Sequence, residues 1–360
     1  MEDFNLPSRE RTDLLKRLQD AISNNVPPYF WAMCQVCDLE ALERFVAIAQ
    51  ISPPMVRSFT AQAYTMVLHW TQSTQGTSRT STPNTTQINR GLGSSPTGSP
   101  LPKRQKTTNS PASSPLVERQ TTTKSLVGSP LLHRSKATSD LAKERDGYCC
   151  VLSKHASVEV AHIYPFCRLS TSEENVFGAR HMFWEHLKSF WSEEKVAAWE
   201  AELFPRGLSE TGDERVDNRI TLSKIAHSQW NRGAFALKPI SISEDNTTLK
   251  VQFFWQKKQP DIPAAMSLLT IPLSTEGLDE NEGAFDYGEA ILARRSGLIK
   301  SGDIFDLKTD DPIKKPLPSF KLLELQWFLT RVIGMAGAAF PYKPGSGDDS
   351  DEDVPGLDLR

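Results

Sequence analysis

The sequence lacks any apolar run near the ~20 residues that a membrane-spanning helix needs. Its first residues, Met1 to Pro7, are acidic and carry no apolar segment of the kind that a secretory signal contains. We therefore expect no membrane association and an intracellular, reducing location. Under such conditions the cysteines are predicted to be free thiols rather than disulfides. They are Cys34, Cys37, Cys149, Cys150 and Cys167.

Several classes of enzyme are excluded because their motifs are missing. The chain has no phosphate-binding glycine loop, no dinucleotide-binding fingerprint and no Gly-X-Ser-X-Gly nucleophile elbow. Hydrophobic residues make up 38% of the sequence, which is below the ~45–50% that is usual for globular domains. A fair fraction of the chain is therefore predicted to remain unpacked.

Residues 73–138 are dominated by Ser, Thr, Pro, Gly and Gln. This composition predicts a disordered linker, because the segment cannot bury enough apolar surface to offset the loss of chain entropy. Between residues 73 and 136, nine Lys or Arg accompany a single acid, Glu118. The cluster Lys103-Arg104-Gln105-Lys106 fits a nuclear localisation signal, a nucleic-acid contact or an ordinary basic linker. Residues 343–360 form an acidic tail that is also predicted to be disordered.

Residues 1–72 are predicted to be helical and to lack a catalytic constellation. Apolar residues recur at helical spacing from Leu14 to Ile22, and this run stops before Pro27-Pro28. Further helices fit Asp38 to Ile51, with Asp38 as N-cap, and Met55 to Trp70. We expect a small helical bundle or a region that binds a protein partner. The Cys-X-X-Cys at 34–37 is predicted to be one helical turn of buried cysteines.

The pattern beyond residue 139 mixes helices with strands. A strand is predicted within Ala156–Pro165, an amphipathic helix over Met182–Leu203, and a helix or a turn into one over Ile220–Asn231. Two strands, Phe235–Ile242 and Thr248–Trp255, are joined by a good hairpin turn at 243–246. A final helix is predicted over Leu317–Ala339. The fold class is therefore expected to be α+β.

Two short segments concentrate groups that could carry chemistry. In the first, Val158 to Phe166, His162 ends an apolar strand just before a proline turn. The second runs from Asp217 to Gly233 and contains His227 and Asn231. If this segment is helical around His227, the two residues lie on one face, because they are four positions apart. An imidazole nitrogen and an amide oxygen on one face can share a divalent ion.

These groups suit phosphodiester hydrolysis. That reaction needs a base near neutral pH, which a histidine can be, and a metal ion that neutralises charge on the phosphate. It also needs cations that hold the polyanion. Four lie in the second segment or just before it: Arg215, Arg219, Lys224 and Arg232.

Three runs of residues carry a family resemblance. They are Arg145-Asp146-Gly147-Tyr148-Cys149-Cys150-Val151, then Ala161-His162-Ile163-Tyr164-Pro165-Phe166, and then Asp217-Asn218 with His227 and Trp230-Asn231-Arg232-Gly233-Ala234-Phe235-Ala236-Leu237. Together they resemble the HNH-nuclease domain that is common in fungal proteins. The segment from Leu317 to Trp327 resembles the C-terminal extension of those proteins, so the likeness covers roughly residues 140–340.

The resemblance implies a ββα-metal (HNH) core around one divalent ion, which could be Mg²⁺, Mn²⁺ or Zn²⁺. By position, His162 matches the general base, and Asn218 matches the asparagine that braces the loop between the two strands. His227 matches a metal ligand on the helix, and Asn231 occupies the position of a further ligand. DNA is the implied partner and substrate.

The predicted architecture is an HNH domain at 139–258, with inserted helices, and a C-terminal extension at 259–342 that packs on it. The all-helical region and the disordered linker precede this domain. An alternative function remains open, in which a catalytically degenerate HNH module serves as a nucleic-acid or protein-binding platform. Ala161 favours it, since many HNH enzymes place Asp or His there, and so does Asn231, a weaker ligand than Asp. Glu159 or a nearby residue could complete the metal site.

A structural zinc site is a further alternative for Cys149, Cys150, His155 and Cys167. The two adjacent cysteines do not have the spacing of paired Cys-X-X-Cys motifs. Buried thiols are therefore the expected reading of these cysteines.

Overall fold

The N-terminal part of the chain folds into four helices. The computed structural model describes residues 2–74, 135–170, 178–257, 262–279, 292–294 and 296–337. The first helices are α1 (Arg9–Ile22), α2 (Pro28–Val36), α3 (Leu39–Ile51) and α4 (Val56–Thr74). The predicted linker, its Lys103–Lys106 cluster and the acidic tail lie outside the described residues, so disorder and nuclear import stay predictions. Within the described residues, no helix is both long and apolar enough to span a membrane.

The residues at the start of α1, α2 and α3 are of the types that commonly begin helices. The Ser8 hydroxyl accepts a hydrogen bond from the Arg11 amide at 3.2 Å and caps α1. Asp38 stands at the N-cap of α3, as predicted, although its carboxylate makes no capping hydrogen bond there. Helix α2 was not predicted beyond the helical turn expected at 34–37, and it starts with Pro28 at its first position. The cysteine prediction in this region is confirmed, since both Cys34 and Cys37 are buried.

The N-terminal helices share one hydrophobic core with the rest of the described chain. The Trp31 indole donates to the Thr270 carbonyl at 2.9 Å, and the Gln35 amide donates to Leu268 at 3.3 Å. The backbones of Val26 and Met266 form a two-bond antiparallel bridge. The described parts on either side of the predicted boundaries therefore pack together. The boundaries themselves, at residues 72, 138 and 258, remain predictions.

Two antiparallel strands and a helix lie at the centre of the chain. They are β1 (Val158–His162), β2 (Arg219–Ser223) and α8 (Lys224–Asn231), and α5 (Lys136–Arg145) precedes them. The segment predicted as a helix or a turn into one thus begins as a strand. All five residues of β2 are buried, and the Ser223 hydroxyl then caps α8 by accepting from the Ala226 amide. Gly233, with φ of +69°, follows α8 in the left-handed conformation that commonly ends helices.

The segment between β1 and β2 carries two helices, α6 (Arg180–Leu187) and α7 (Glu193–Leu203). The prediction of one helix over Met182–Leu203 was therefore wrong. The helix breaks because the Ser192 hydroxyl caps a new one, accepting from the Lys195 amide at 3.3 Å. Asp38, at the start of α3, also stabilises the segment between α6 and α7, because its carboxylate accepts a hydrogen bond from the Ser192 amide at 3.0 Å.

A three-stranded antiparallel sheet follows, in the order β3–β4–β7. Its strands are β3 (Phe235–Ile242), β4 (Thr248–Trp255) and β7 (Ile304–Lys308), and two short strands, β5 (Ala293–Arg294) and β6 (Gly297–Leu298), pair nearby. The predicted hairpin is confirmed, with Asn246 in the left-handed conformation of its turn. The last helix, α9 (Phe320–Met335), packs on β3. The described elements confirm the α+β class.

Candidate active site

Asn218 ties the turn after β1 to the chain just before β2. Its side-chain oxygen accepts from the Tyr164 amide at 2.8 Å, and its side-chain nitrogen donates to the Tyr164 carbonyl at 3.1 Å. The Ile163 amide donates to the Asn218 carbonyl at 3.0 Å. Asn218 is only 1% exposed, so these bonds are shielded from water. The position of the turn beyond His162 therefore depends on a residue 54 positions beyond Tyr164.

The strand register assigns the site residues to two faces of the hairpin. His162 lies opposite Arg219, and directly opposed residues project from the same face. Val160 shares this face by alternation and packs with Ala142 of α5. Glu159 projects from the other face, toward α8.

Glu159 and His227 form a buried carboxylate–imidazole pair. The Glu159 Oε2 and His227 Nδ1 atoms are 2.8 Å apart, and the side chains are 7% and 2% exposed. The hydrogen bond with His227 holds the pKa of Glu159 below its usual value, against the opposing effect of burial. The other carboxylate oxygen, Oε1, accepts no hydrogen bond within the described chain, and the ammonium nitrogen of Lys224 is 3.6 Å away.

His162 lies beside a different carboxylate. Its Nε2 atom is 3.7 Å from the Oε1 atom of Glu214, and its ring centroid is 5.5 Å from that of Phe166. The Trp230 indole donates to the His162 carbonyl at 3.1 Å, which ties the end of β1 to α8. The imidazole is therefore held at the end of the hairpin with a carboxylate next to it.

The structure does not gather the predicted residues into one metal cluster. The described part of the chain contains no group of three or more His, Cys, Asp or Glu placed to hold an ion together. His162 and the Glu159–His227 pair are instead separated by the two faces of β1. Asn231 lies four residues after His227, at the end of α8, and is therefore on the same side of that helix. Its side chain is half-buried.

The residues on the α8 face nevertheless fit a divalent ion in kind. A carboxylate held in its charged form, a histidine and an amide oxygen are ligands that Mg²⁺, Mn²⁺ and Zn²⁺ accept. The buried Glu159 Oε1 atom accepts no hydrogen bond from the described residues, and a metal ion would compete for it with the Lys224 ammonium group 3.6 Å away. An ion held by two or three protein atoms keeps water or substrate oxygens in its remaining positions, as Mg²⁺ commonly does.

The four side chains predicted to bind phosphate differ in how much of each is exposed to solvent. Arg219 is fully buried, and its guanidinium donates to Glu214 and Ser139, so it presents no surface to a phosphate. The Arg215 side chain is 44% exposed and paired with Asp217. Two more reach the surface of α8. They are Lys224, whose side chain is 57% exposed, and the half-buried Arg232, which donates to Ser228 at 2.8 Å.

Sequence reasoning missed one member of the site. Glu214 lies in an irregular segment four residues before Asn218, and no motif or periodicity marks it. The cysteine expectation is partly corrected here. All five cysteines are thiols rather than disulfides, as expected, but Cys149 is only half-buried and Cys167, in the 3-10 turn at Phe166–Arg168, is exposed.

Comparison with known proteins finds one family. No curated protein and no solved structure is significantly similar to this chain. HNH nucleases in general use a divalent metal, and the match carries no information on a fungal origin. Residues 149–238, which include both histidine–carboxylate pairs, match the model of the HNH endonuclease family, so this segment is similar to the domain of HNH nucleases.

Proposed function

We propose that the protein is a metal-dependent endonuclease that hydrolyses DNA phosphodiester bonds at the β1–β2–α8 hairpin. The observation that carries this proposal is the buried Glu159–His227 pair, which lies within the segment that matches the HNH endonuclease family. In this reading β1, β2 and α8 are the ββα-metal core. Glu159 and His227 are its protein ligands, with Asn231 completing the set.

His162 is the general base of the proposed reaction. A ring nitrogen takes the proton of the attacking water, and imidazole suits this task near neutral pH. Asn218 fixes the turn that follows His162 and so holds the imidazole at the strand end. A bound divalent ion would neutralise charge on the phosphate and the leaving oxygen.

The separation of His162 from the Glu159–His227 pair is compatible with this chemistry. In an in-line displacement the attacking and leaving oxygens lie on opposite sides of the phosphorus. A phosphodiester at the end of the hairpin could therefore meet the base on one face of β1 and the ligands on the other. Lys224, Arg232 and Arg215 would hold the flanking phosphates by charge.

The test is nicking of supercoiled plasmid by the full chain with Mg²⁺ or Mn²⁺. His162→Ala is expected to lower the rate roughly 10²–10⁴-fold, because that is what a general base contributes. Glu159→Gln is expected to raise the metal concentration needed for half-maximal rate. The matched control is His155→Ala, since His155 is an exposed histidine of the same domain. Nicking that survives both His162→Ala and chelation would refute the proposal.

A second candidate function is a DNA-binding platform without catalysis. It is favoured by Ala161 at a position where many HNH enzymes carry a ligand, and by the lack of a three-residue metal cluster among the described residues. DNA binding by the full chain without nicking in Mg²⁺, Mn²⁺ or Zn²⁺ would select this candidate.

A further inference from the structure

We propose that Glu214 is a positioning residue, whose carboxylate holds the His162 imidazole in the orientation that accepts a proton. This inference rests on the proposed function, because it concerns the base of that reaction. It assigns a role to the irregular segment before β2, which no motif in the sequence marks.

The Glu214 carboxylate is fixed from three directions. Its Oε2 atom accepts from the Ser135 amide at 3.1 Å, just before α5. Its Oε1 atom accepts a charge-assisted hydrogen bond from the Arg219 guanidinium and lies 3.7 Å from His162 Nε2. The Glu214 side chain is 7% exposed. A carboxylate held in this way cannot swing into solvent without breaking the bonds to both α5 and β2.

Arg219 provides a positive partner for this carboxylate. The guanidinium is fully buried, Glu214 compensates its charge, and it also donates to the Ser139 hydroxyl of α5. Because Arg219 lies opposite His162 in the β1–β2 register, the carboxylate between them is shared by both side chains. When His162 takes a proton, the new positive charge appears 3.7 Å from an anion that is already in place.

The other groups around His162 do not replace this carboxylate. Phe166 packs against the imidazole ring, and the Trp230 indole from α8 binds the His162 carbonyl rather than its ring. The charged groups Glu159 and Lys224 belong to the opposite face of β1. Within the described residues, Glu214 and Arg219 are the charged side chains shown on the His162 face, and of these two Glu214 is the one that can stabilise an imidazolium.

A Glu214 that only stabilises the fold would give a different result for the titration of His162. If the carboxylate serves only to neutralise the buried Arg219, its loss lowers stability but leaves the titration of His162 where it is. If it positions His162, its loss also makes protonation of that imidazole harder. The two readings separate in a measurement of the His162 titration.

The experiment compares Glu214→Gln, Glu214→Asp and the control Glu210→Gln in the full chain. Glu210 is an exposed glutamate of the same segment. The protein is labelled with ¹³C at the histidine Cε1 position, the His162 signal is assigned with His162→Gln, and its titration is followed by NMR. Plasmid nicking is measured over the same pH range, together with binding of Mn²⁺ alone.

In Glu214→Gln, the midpoint of the His162 titration should lie about one pH unit lower than in the wild type, because a nearby opposite charge has been removed. The acidic limb of the rate profile should move the same way, and the plateau rate should fall about 10–100-fold, a positioning effect smaller than loss of the base. Glu214→Asp keeps the charge but withdraws it by one methylene, so its midpoint should be intermediate. Mn²⁺ binding and the control should match the wild type.

A folded Glu214→Gln protein with an unchanged His162 midpoint would overturn the inference. If that variant does not fold, Glu214→Asp decides, and a wild-type midpoint there would overturn it equally. Absence of nicking by the wild-type protein would refute the proposed function alone, since the NMR midpoints still report the coupling between Glu214 and His162.

Discussion

Replacement of Asn218 by alanine tests how strongly the turn after β1 depends on a distant side chain. The substitution removes two hydrogen bonds, to the Tyr164 amide and carbonyl, and leaves both backbone groups buried without that partner. Each such group costs about 1–3 kcal/mol. The free energy of unfolding is therefore expected to fall by about 2–6 kcal/mol. For a folded unit of this size, that corresponds to a drop in Tm of roughly 4–24 °C.

The assay is urea and thermal unfolding of the full chain followed by tryptophan fluorescence, with Asn25→Ala as control. Asn25 is exposed, so its variant should stay within about 0.5 kcal/mol of the wild type. Asn218→Asp keeps an acceptor for the Tyr164 amide but places a negative charge beside the Tyr164 carbonyl, and it should not restore stability at neutral pH. A loss below about 0.5 kcal/mol in Asn218→Ala would refute the reasoning.

Three further outcomes follow from the structure. The pKa of Glu159 is lowered on folding, so its carboxylate stabilises the fold above its unfolded value of 4.5 and that contribution is lost as pH falls through the folded pKa. As the pH falls below 4.5, the free energy of unfolding should therefore decrease more in the wild-type protein than in Glu159→Gln. Deletion of 78–128, which carries seven basic residues and one acidic residue, should weaken DNA binding and flatten its salt dependence in a filter-binding assay. Gly212→Ala places a methyl group 2.7 Å from a leucine methyl and should cost about 1–3 kcal/mol in urea unfolding, whereas Gly178→Ala, with open space, should not.

Local patterns predicted the elements whose signals are complete within a few residues. The β3–β4 hairpin shows alternation on both strands and turn residues between them, and it forms as predicted. Helices α1 and α3 show apolar residues at helical spacing and a capping residue at the start. Helix α2 could not be found in this way. Its residues from Phe30 to Val36 are all buried, so the amphipathic period that reveals a helix is missing.

In the candidate site, too, some features could be predicted from the sequence and others could not. The role of Asn218 as a brace was implied by the resemblance, and its two bonds to Tyr164 have the geometry of one. The partners of the histidines could not be predicted, because they arise from pairing between distant segments. Glu159 meets His227 across 68 positions, and Glu214 reaches His162 only because the hairpin closes around the inserted helices.

The contacts between α2 and the C-terminal third of the chain also govern how a nascent chain can fold. The bond from Trp31 to Thr270 joins residues 239 positions apart, and that from Arg331 to Asn5 joins residues 326 apart. Such long-range contacts slow folding, because large loops must close before the contacts form. On the ribosome, the contacts of α2 with α9 cannot form until α9 has been synthesised. A message truncated before residue 262 would yield a polypeptide whose α2 has lost this cover, and such a product is a natural target for chaperones and proteases.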